Sequence, residues 1–319
     1  MLAQAGYAIG IVDNLANAKP AVLERIRALA QGAEIDFRRT DIRDESALAA
    51  YFGDGRFDCV IHFAGLKAVG ESMEKPVEYY DNNVSGSLSL LKAMKARGVR
   101  DIVFSSSATV YGEPLQLPLT EDHRLQPINV YGQTKAMVEQ ILRDRAAADK
   151  DFHYAALRYF NPVGAHQSGR IGEDPRGIPN NLFPYIAQVA TGGRAALRVW
   201  GNDYATRDGT GVRDYIHVMD LARAHLAALS YLERRRLSIV ANIGTGRGYS
   251  VLEAVKAYER ASGRPVPVEI HPRRAGDSAE NYADPTLARR ELDWEAQLGL
   301  EEMCADSWRW QSANPTGYP

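Results

Sequence analysis

Cysteine is scarce in this sequence: only Cys59 and Cys304 occur among 319 residues, far apart in the chain. Disulfide frameworks and zinc sites need several cysteines or histidines at short spacings, and the seven histidines include no HxxH or HxxxH pair. These absences predict a reduced, metal-free protein, which we expect in the cytoplasm.

Long apolar runs and an excess of one charge are also missing. No stretch reaches the roughly 18 apolar residues of a membrane-spanning helix, and 38 basic against 40 acidic residues give a net charge of −2. Because nucleic-acid binding rests on many positive charges, we expect neither a membrane anchor nor a nucleic-acid partner. The apolar stretch at 2–12 has no basic residue before it and ends at Asp13, which favours a buried strand over a signal peptide.

The sequence does contain a regular alternation of apolar strands and amphipathic helices. With 45% hydrophobic and 24% charged residues, the composition is typical of globular proteins, and the length suggests about two domains. The predicted strands cover residues 7–13, 34–38, 58–63, 101–107 and 153–160, and the clearest helices cover 78–97 and 130–148. This order predicts an α/β fold with a doubly wound, Rossmann-like parallel sheet.

The second half of the chain is richer in loops. Stretches at 161–164, 172–181 and 201–211 combine glycine, proline and asparagine with nearby aromatic residues, which is typical of loops that build a site. A strand at 238–243 and helices at 251–262 and 300–311 complete a smaller α/β lobe. We predict a dinucleotide-binding domain over 1–160 and a substrate-binding lobe over 161–319, leaving open whether the strand at 238–243 returns to the first sheet.

Asp13 ends the first predicted strand, where an acid in a dinucleotide-binding fold binds the adenosine ribose and favours NAD over NADP. A solvated carboxylate at a strand end is the plainer alternative. The glycine fingerprint expected about 20 residues before such an acid has no counterpart here, so we expect the first strand and its glycine loop to be missing. A glycine-rich stretch at 244–249 departs from the fingerprint by one residue and is interpreted as a tight strand-to-helix turn.

A candidate catalytic pair opens the helix at 130–148. Tyr131 and Lys135 lie one turn apart on the same helix face, and a nearby ammonium lowers the pKa of a phenol, so that tyrosine can serve as acid or base. The spacing alone is weakly specific. Ser107 ends the strand at 101–107, at the carboxyl edge where open α/β sheets bind ligands, and could hydrogen-bond a reacting hydroxyl.

Longer blocks carry a family resemblance. They are residues 63–72 (FAGLKAVGES), 105–112 (SSSATVYG), 158–165 (RYFNPVGA) and 211–218 (GVRDYIHV). With Tyr131 and Lys135, these blocks resemble the UDP-glucose 4-epimerases of the extended short-chain dehydrogenase/reductase family, from about residue 7 to residue 319. The resemblance implies an enzyme of galactose metabolism that holds NAD and interconverts UDP-glucose and UDP-galactose through a 4-keto sugar, with transient hydride transfer from C4 to NAD.

The resemblance also implies roles for single residues. Tyr131 would be the acid/base on the C4 oxygen, Ser107 would hydrogen-bond that oxygen, and Lys135 would hold the nicotinamide ribose and lower the pKa of Tyr131. Further NAD contacts would come from Asp13, Asn14, Asp41, Ile42, Phe63, Ala64, Lys67, Asn82 and Tyr159. UDP-sugar contacts would come from Asn161, Asn181, Leu182, Trp200, Arg213, Tyr215, Arg274, Asp277 and Asn281, with the arginines on the diphosphate unless they form surface ion pairs.

Two further expectations follow from the family resemblance. Bacterial members often carry a bulky tyrosine at the position of Asn281, so our hypothesis is that Asn281 leaves room for UDP-GlcNAc and UDP-GalNAc. The family's dimers pair two helices that correspond to 78–97 and 130–148, so we expect a homodimer, although the same apolar faces would also suit packing on the sheet.

Two other functions compete with the epimerase interpretation. A nucleotide-sugar 4,6-dehydratase needs an acid and a base where this chain has Ala108 and Thr109, and neither side chain can do that proton chemistry. A paralogue without catalysis would have lost its pyrophosphate loop, but it need not keep Ser107, Tyr131 and Lys135. A misplaced start codon or a trimmed chain explains the missing start better.

Overall fold

The computed structural model describes residues 1–174, 177, 179, 181–274 and 277–319. In its first half, parallel strands alternate with helices. The strands are β1 (Ile9–Asp13), β2 (Ile35–Arg39), β3 (Cys59–His62), β4 (Asp101–Ser107) and β5 (His153–Tyr159), and the helices are α1 (Ala21–Leu29), α2 (Glu45–Asp54), α3 (Val69–Glu74), α4 (Pro76–Tyr80), α5 (Gly86–Ala96) and α6 (Val130–Ala148). The predicted α/β fold class is confirmed.

The second half contributes shorter strands and further helices. The strands are β6 (Asn161–Val163), β7 (Leu197–Trp200), β8 (Val212–Arg213), β9 (Tyr215–His217), β10 (Ile239–Ile243), β11 (Tyr249–Ser250), β12 (Val268–His271) and β13 (Glu280–Asn281), and the helices are α7 (Leu182–Ala190), α8 (Val218–Arg235), α9 (Val251–Ser262), α10 (Thr286–Leu292) and α11 (Leu300–Ala313). The predicted loop at 172–181 lies partly outside the described residues. Within the described ranges, no helix is both long enough and apolar enough to cross a bilayer.

The strands of the first half form two parallel sheets. β1 pairs with β2, while a four-stranded sheet has the order β10-β5-β4-β3. β10 therefore joins the first sheet although it lies far along the chain. Shorter pairings, β7 with β12, β6 with β9, and β8 with β11 and β13, belong to the second half.

Helices cover both faces of the four-stranded sheet. Because side chains alternate along a strand, Val103 and Leu157 pack with apolar residues of α8 and α10, while Ile102 and Phe104 pack with those of α2, α5 and α6. This double covering explains why the strands read as continuous apolar runs, and it leaves the strand ends as the place where polar side chains gather.

The predicted helix at 78–97 is interrupted. α4 ends at Tyr80, and a π-helical turn, Asp81–Ser85, precedes α5. Asn83 lies in this wide turn, where its side chain accepts from the Leu66 N–H at 2.8 Å and donates to the Leu66 carbonyl at 2.9 Å and to Thr134 Oγ1 at 3.0 Å. The break in the helix thus ties the loop after β3 to α6.

Candidate active site

The first turn of α6 lies against the end of β4. The Asn129 side chain caps the helix by accepting from the Gly132 N–H at 2.8 Å. A Cβ added at Gly132 would lie 2.6 Å from the Thr109 carbonyl oxygen, so only glycine allows this close approach. The helix consequently begins beside the short turn that follows Ser107.

Tyr131, Lys135 and Ser107 meet at this edge of the sheet, as the sequence predicted. The Lys135 ammonium donates to the Ser105 carbonyl oxygen at 2.6 Å and lies 5.8 Å from the centre of the Tyr131 ring. The Ser107 hydroxyl acts on the Tyr131 phenol and lowers its pKa, and Ser107 Oγ accepts from the Thr109 hydroxyl at 2.9 Å. A phenol, a hydroxyl and an ammonium group therefore lie together at the carboxyl ends of parallel strands.

The pKa values in this group differ from expectation in one respect. Burial raises the pKa of Tyr131, and the influence of the Ser107 hydroxyl only partly opposes it. Burial lowers the pKa of Lys135 to about 8, with the Glu139 carboxylate acting in the opposite direction. We expected Lys135 to lower the pKa of Tyr131; instead its ammonium points to the Ser105 carbonyl, and the phenol stays protonated at neutral pH.

A second polar group lies where β1 and β2 end. Asp13 Oδ1 accepts from the Leu15 N–H at 2.6 Å, and Asn14 Nδ2 donates to Asp41 Oδ2 at 2.9 Å. Arg43, which the sequence analysis missed, binds Asp41 with two donors at 2.9 Å and holds the pKa of that carboxyl well below its usual range. The predicted residues Asp13, Asn14 and Asp41 are thus brought together.

Two other predicted cofactor residues, Ile42 and Asn82, contact the segment that carries Asn83 and Gly86. Ile42 is buried against Gly86, where an added Cβ would lie 2.6 Å from Ile42 Cδ1. Asn82 donates to Asn83 Oδ1 at 2.9 Å. A Cβ added at Gly65 would lie 3.3 Å from Asn83 Oδ1 and 3.7 Å from the Lys135 ammonium.

The remaining predicted cofactor residues follow β3 and end β5. Phe63 is 58% exposed, its ring lies 4.8 Å from that of His225, and Ala64 follows it, partly buried. The Tyr159 hydroxyl hydrogen-bonds His225 Nε2. Lys67 is exposed and lies 3.7 Å from a Glu173 carboxylate oxygen.

Three predicted substrate residues act electrostatically on Tyr204, which the sequence analysis missed. Burial and then Asp277 raise the pKa of Tyr204, whereas Arg273, Arg213 and Arg274 lower it. The Tyr204 hydroxyl is buried and has no hydrogen-bond partner among the described residues. Its position as an aromatic residue within the glycine-rich loop at 201–211 is the sequence feature that could have indicated Tyr204.

These residues have further contacts of their own. Arg213 and Asn281 are register partners in the β8–β13 pair. Arg274 forms an exposed ion pair with Asp277 at 2.9 Å, which is the alternative considered from sequence, and lies 5.9 Å from the Trp200 ring.

Four predicted substrate residues lie elsewhere. Leu182 and Tyr215 pack in the core of the second lobe, and the Asn161 N–H donates to the Asp214 carbonyl at 3.0 Å. Asn181 Nδ2 lies 3.4 Å from Glu173 Oε1, the same carboxylate that pairs with Lys67.

The glycine-rich stretch at 244–249 is a turn, as predicted. The N–H groups of Thr245 and Gly246 donate to the Asp214 carboxylate at 2.8 and 3.0 Å. Ser250 and Glu253 then form a capping box at the start of α9. Because these amides donate to Asp214, we interpret the turn as a strand-to-helix connection.

Comparison with known proteins gives consistent matches over the whole chain. Residues 1–307 match the family described as GDP-mannose 4,6 dehydratase. A UDP-glucose 4-epimerase of Bacillus subtilis is 56% identical, with 99% of this chain and 93% of that protein covered.

Solved structures agree. A UDP-glucose 4-epimerase from Stenotrophomonas maltophila with bound NAD and formylated UDP-arabinopyranose superposes with a TM-score of 0.96 at 51% identity, covering 98% of this chain and 93% of that one. One from Bifidobacterium longum in complex with NAD⁺ and UDP gives 0.95 at 51% identity, covering 99% and 94%.

Proposed function

The chain belongs to the UDP-glucose 4-epimerase family, and from this premise we propose that it is an NAD-dependent isomerase that interconverts UDP-glucose and UDP-galactose. The observation that carries the proposal is the meeting of Ser107, Tyr131 and Lys135 at the carboxyl edge of the parallel sheet. A paralogue without catalysis is not favoured, since relatives over the full chain are named epimerases.

The residues of this edge fit NAD at both of its ends. The Asp13 carboxylate at the end of β1 suits the hydroxyls of an adenosine ribose. Asn14 follows it in the chain and donates to Asp41, and Ile42 follows Asp41. At the other end, Gly65 leaves a space above Asn83 and Lys135 that a Cβ would fill. Further contacts would come from Phe63, Ala64, Lys67, Asn82 and Tyr159. When bound, NAD supplies the acceptor and donor for the hydrogen at C4 and a positively charged ring.

The chain's own groups handle the proton. Tyr131 takes the proton from the sugar 4-hydroxyl and returns it to the C4 oxygen, acting as base and then as acid. Ser107, whose hydroxyl acts on the Tyr131 phenol, orients that oxygen. Because burial raises the pKa of Tyr131, positive charge near the phenol is needed to bring it into the working range; Lys135 carries that charge and also holds the nicotinamide ribose.

The second lobe holds the nucleotide and leaves the hexose free to turn. Arg213 and Arg274 act as charge-assisted donors to the diphosphate, and binding Arg274 releases it from Asp277. The other contacts come from Asn161, Asn181, Leu182, Trp200, Tyr215, Asp277 and Asn281. A firm grip on UDP with a loose grip on the sugar allows one pocket to present both faces of the 4-keto sugar.

Substrate range is a separate proposal. Asn281 pairs in register with Arg213, so its side chain borders the region proposed for the sugar nucleotide. Because asparagine is smaller than the tyrosine of many family members, we propose that UDP-GlcNAc and UDP-GalNAc are accepted as well.

We also propose a homodimer that pairs α5 and α6 with their symmetry mates. Exposed apolar side chains on and beside these helices support it, namely Met73, Val77, Leu88 and Met137. Sedimentation equilibrium should give twice the chain mass, and a single chain mass would refute the proposal. A cytoplasmic location, which is consistent with two free thiols, is tested by cell fractionation.

A direct assay tests the proposed activity. Protein incubated with NAD and UDP-galactose should yield UDP-glucose, identified by the anomeric proton in NMR spectra, and should reach the same mixture from UDP-glucose. Conversion of neither sugar nucleotide by protein shown to contain NAD would overturn the proposal.

A further inference from the structure

A buried ion pair lies directly behind the proposed catalytic pair. Glu139 follows Lys135 by one turn of α6, just as Lys135 follows Tyr131. Arg158 on β5 binds Glu139 through two hydrogen bonds, Nε to Oε1 at 3.0 Å and Nη2 to Oε2 at 2.7 Å. The two side chains are only 3% and 1% exposed, so this is a fully desolvated bidentate pair.

Further hydrogen bonds extend from the pair to neighbouring strands. The Ser106 hydroxyl on β4 donates to Glu139 Oε1 at 2.5 Å. Arg158 Nη1 donates to the Tyr111 hydroxyl at 2.9 Å, and that hydroxyl donates to Asn242 Oδ1 on β10 at 2.6 Å. One network thereby joins α6 to β4, β5 and β10, next to the end of β4 that carries Ser105 and Ser107.

Stability alone does not account for these charges. Replacing a buried ion pair with apolar side chains of similar volume often leaves the free energy of unfolding unchanged or raises it. The bidentate geometry instead fixes the rotation and height of α6 on β4 and β5. In addition, the carboxylate lies one turn from the Lys135 ammonium, whose burial disfavours its charged form.

We propose that Glu139 is a positioning residue for Tyr131 and Lys135: its bridge to Arg158 and Ser106 sets α6 on the sheet, and its charge keeps the buried lysine protonated. This inference rests on the proposed function for its catalytic meaning. Glu139 itself touches neither substrate nor cofactor, so its effect passes through Lys135.

The groups that face Lys135 support this assignment. On α6 they are Tyr131, which is protonated, and Glu139. On β3 there is His62, which is neutral because burial, assisted by Lys135, lowers its pKa to about 3. On β4 there is the uncharged Ser105 carbonyl. Glu139 is thus the negative charge that acts on Lys135 within the described residues.

The test measures protonation of Lys135 directly. Protein labelled with ¹³C-lysine is titrated by NMR in the presence and absence of NAD, and the Lys135 signal is assigned by its loss in Lys135→Met. The variants are Glu139→Gln, the double variant Glu139→Gln/Arg158→Met, and the control Asp144→Asn, an exposed acid on the same helix that bonds only Gln140 among described side chains. The double variant removes both charges of the ion pair, so neither Arg158 nor Glu139 is left buried without the other, and it covers the case in which Glu139→Gln fails to fold.

The expected result is a pKa of Lys135 lowered by about one unit or more in the Glu139 variants and unchanged in Asp144→Asn. The alkaline limb of the kcat profile should move to lower pH by the same amount, with KM little changed. An unaltered Lys135 titration in the folded double variant would overturn the proposal. Absence of turnover in the wild type would instead contradict the proposed function, while the titration would still decide the role of Glu139.

Discussion

At the scale of single residues, the site depends on a phenol that the protein keeps protonated. Tyr131 is partly buried, and burial outweighs the influence of the Ser107 hydroxyl in setting its pKa. The Lys135 ammonium donates a hydrogen bond to the Ser105 carbonyl and not to the phenol. The acid form is therefore the resting state of Tyr131, and the base form arises only when positive charge reaches the phenol.

Removal of the Tyr131 hydroxyl should abolish most of the activity. We expect Tyr131→Phe to lower kcat by about 10²- to 10⁴-fold, the usual contribution of a positioned acid/base group, with little change in KM. Tyr7→Phe is a matched control, because the Tyr7 hydroxyl hydrogen-bonds the exposed Glu233 at 3.4 Å. Equal kcat values for the two variants would exclude Tyr131 as the acid/base.

The size of residue 281 should set the substrate range. We expect Asn281→Tyr to keep turnover of UDP-galactose and to lose most turnover of UDP-GalNAc, because the larger ring occupies the space of the acetamido group. Initial rates on both substrates for wild type and variant give the answer. Wild type that turns over no acetylated substrate would refute the hypothesis about Asn281.

At the scale of elements, the start of α6 is what places the catalytic side chains. The sequence predicted the bounds of this helix correctly, since Asn129 is a favourable cap and the apolar residues keep one face. By contrast, the sequence analysis did not predict the break in the helix at 78–97. The contact between Asn83 and Leu66 that accompanies the break joins segments distant in sequence.

Loss of the α6 cap should therefore affect both stability and catalysis. We expect Asn129→Ala to reduce the free energy of unfolding by about 1 kcal/mol and to lower kcat, because the first turn carries Tyr131. Asn129→Asp keeps an acceptor for the Gly132 N–H and should retain both properties. Urea unfolding and steady-state kinetics compare the two variants. Equal losses of stability and kcat in Asn129→Ala and Asn129→Asp would show that the side-chain cap is not their cause.

At the scale of the whole molecule, buried neutral histidines should make the fold sensitive to acid. Burial lowers the pKa of His62 to about 3 and that of His225 to about 4. The unfolded chain, with histidine near its usual 6.5, binds more protons below that pH. Stability is thus complete above about pH 6.5 and declines as the pH falls towards these values.

The size of this effect can be measured for one residue. For His62 the linkage amounts to about 2 kcal/mol of unfolding free energy lost between pH 7 and pH 5. We expect urea unfolding of His62→Asn to depend less on pH by about that amount. A pH dependence identical to that of the wild type would show that His62 does not titrate on unfolding.

The sequence specified the architecture better than the environment of the site. The order of strands along the chain followed from apolar runs, and the gathering of Ser107, Tyr131 and Lys135 followed from the strand end at Ser107, the helical spacing and the family resemblance. The contributions of Asn83, Glu139 and Tyr204 did not, because each depends on contacts between segments far apart in sequence. Burial also reversed the expected pKa shift of Tyr131, since desolvation cannot be read from a spacing of four residues.

The measurement that tests the account most directly follows the hydrogen at C4. UDP-galactose deuterated at C4 is incubated with the NAD-containing protein, and the product is analysed by NMR and mass spectrometry. We predict UDP-glucose that retains the deuterium at C4 in wild type, and almost no product in Tyr131→Phe. Product that has exchanged the label with water, or no product from wild type, would contradict the account.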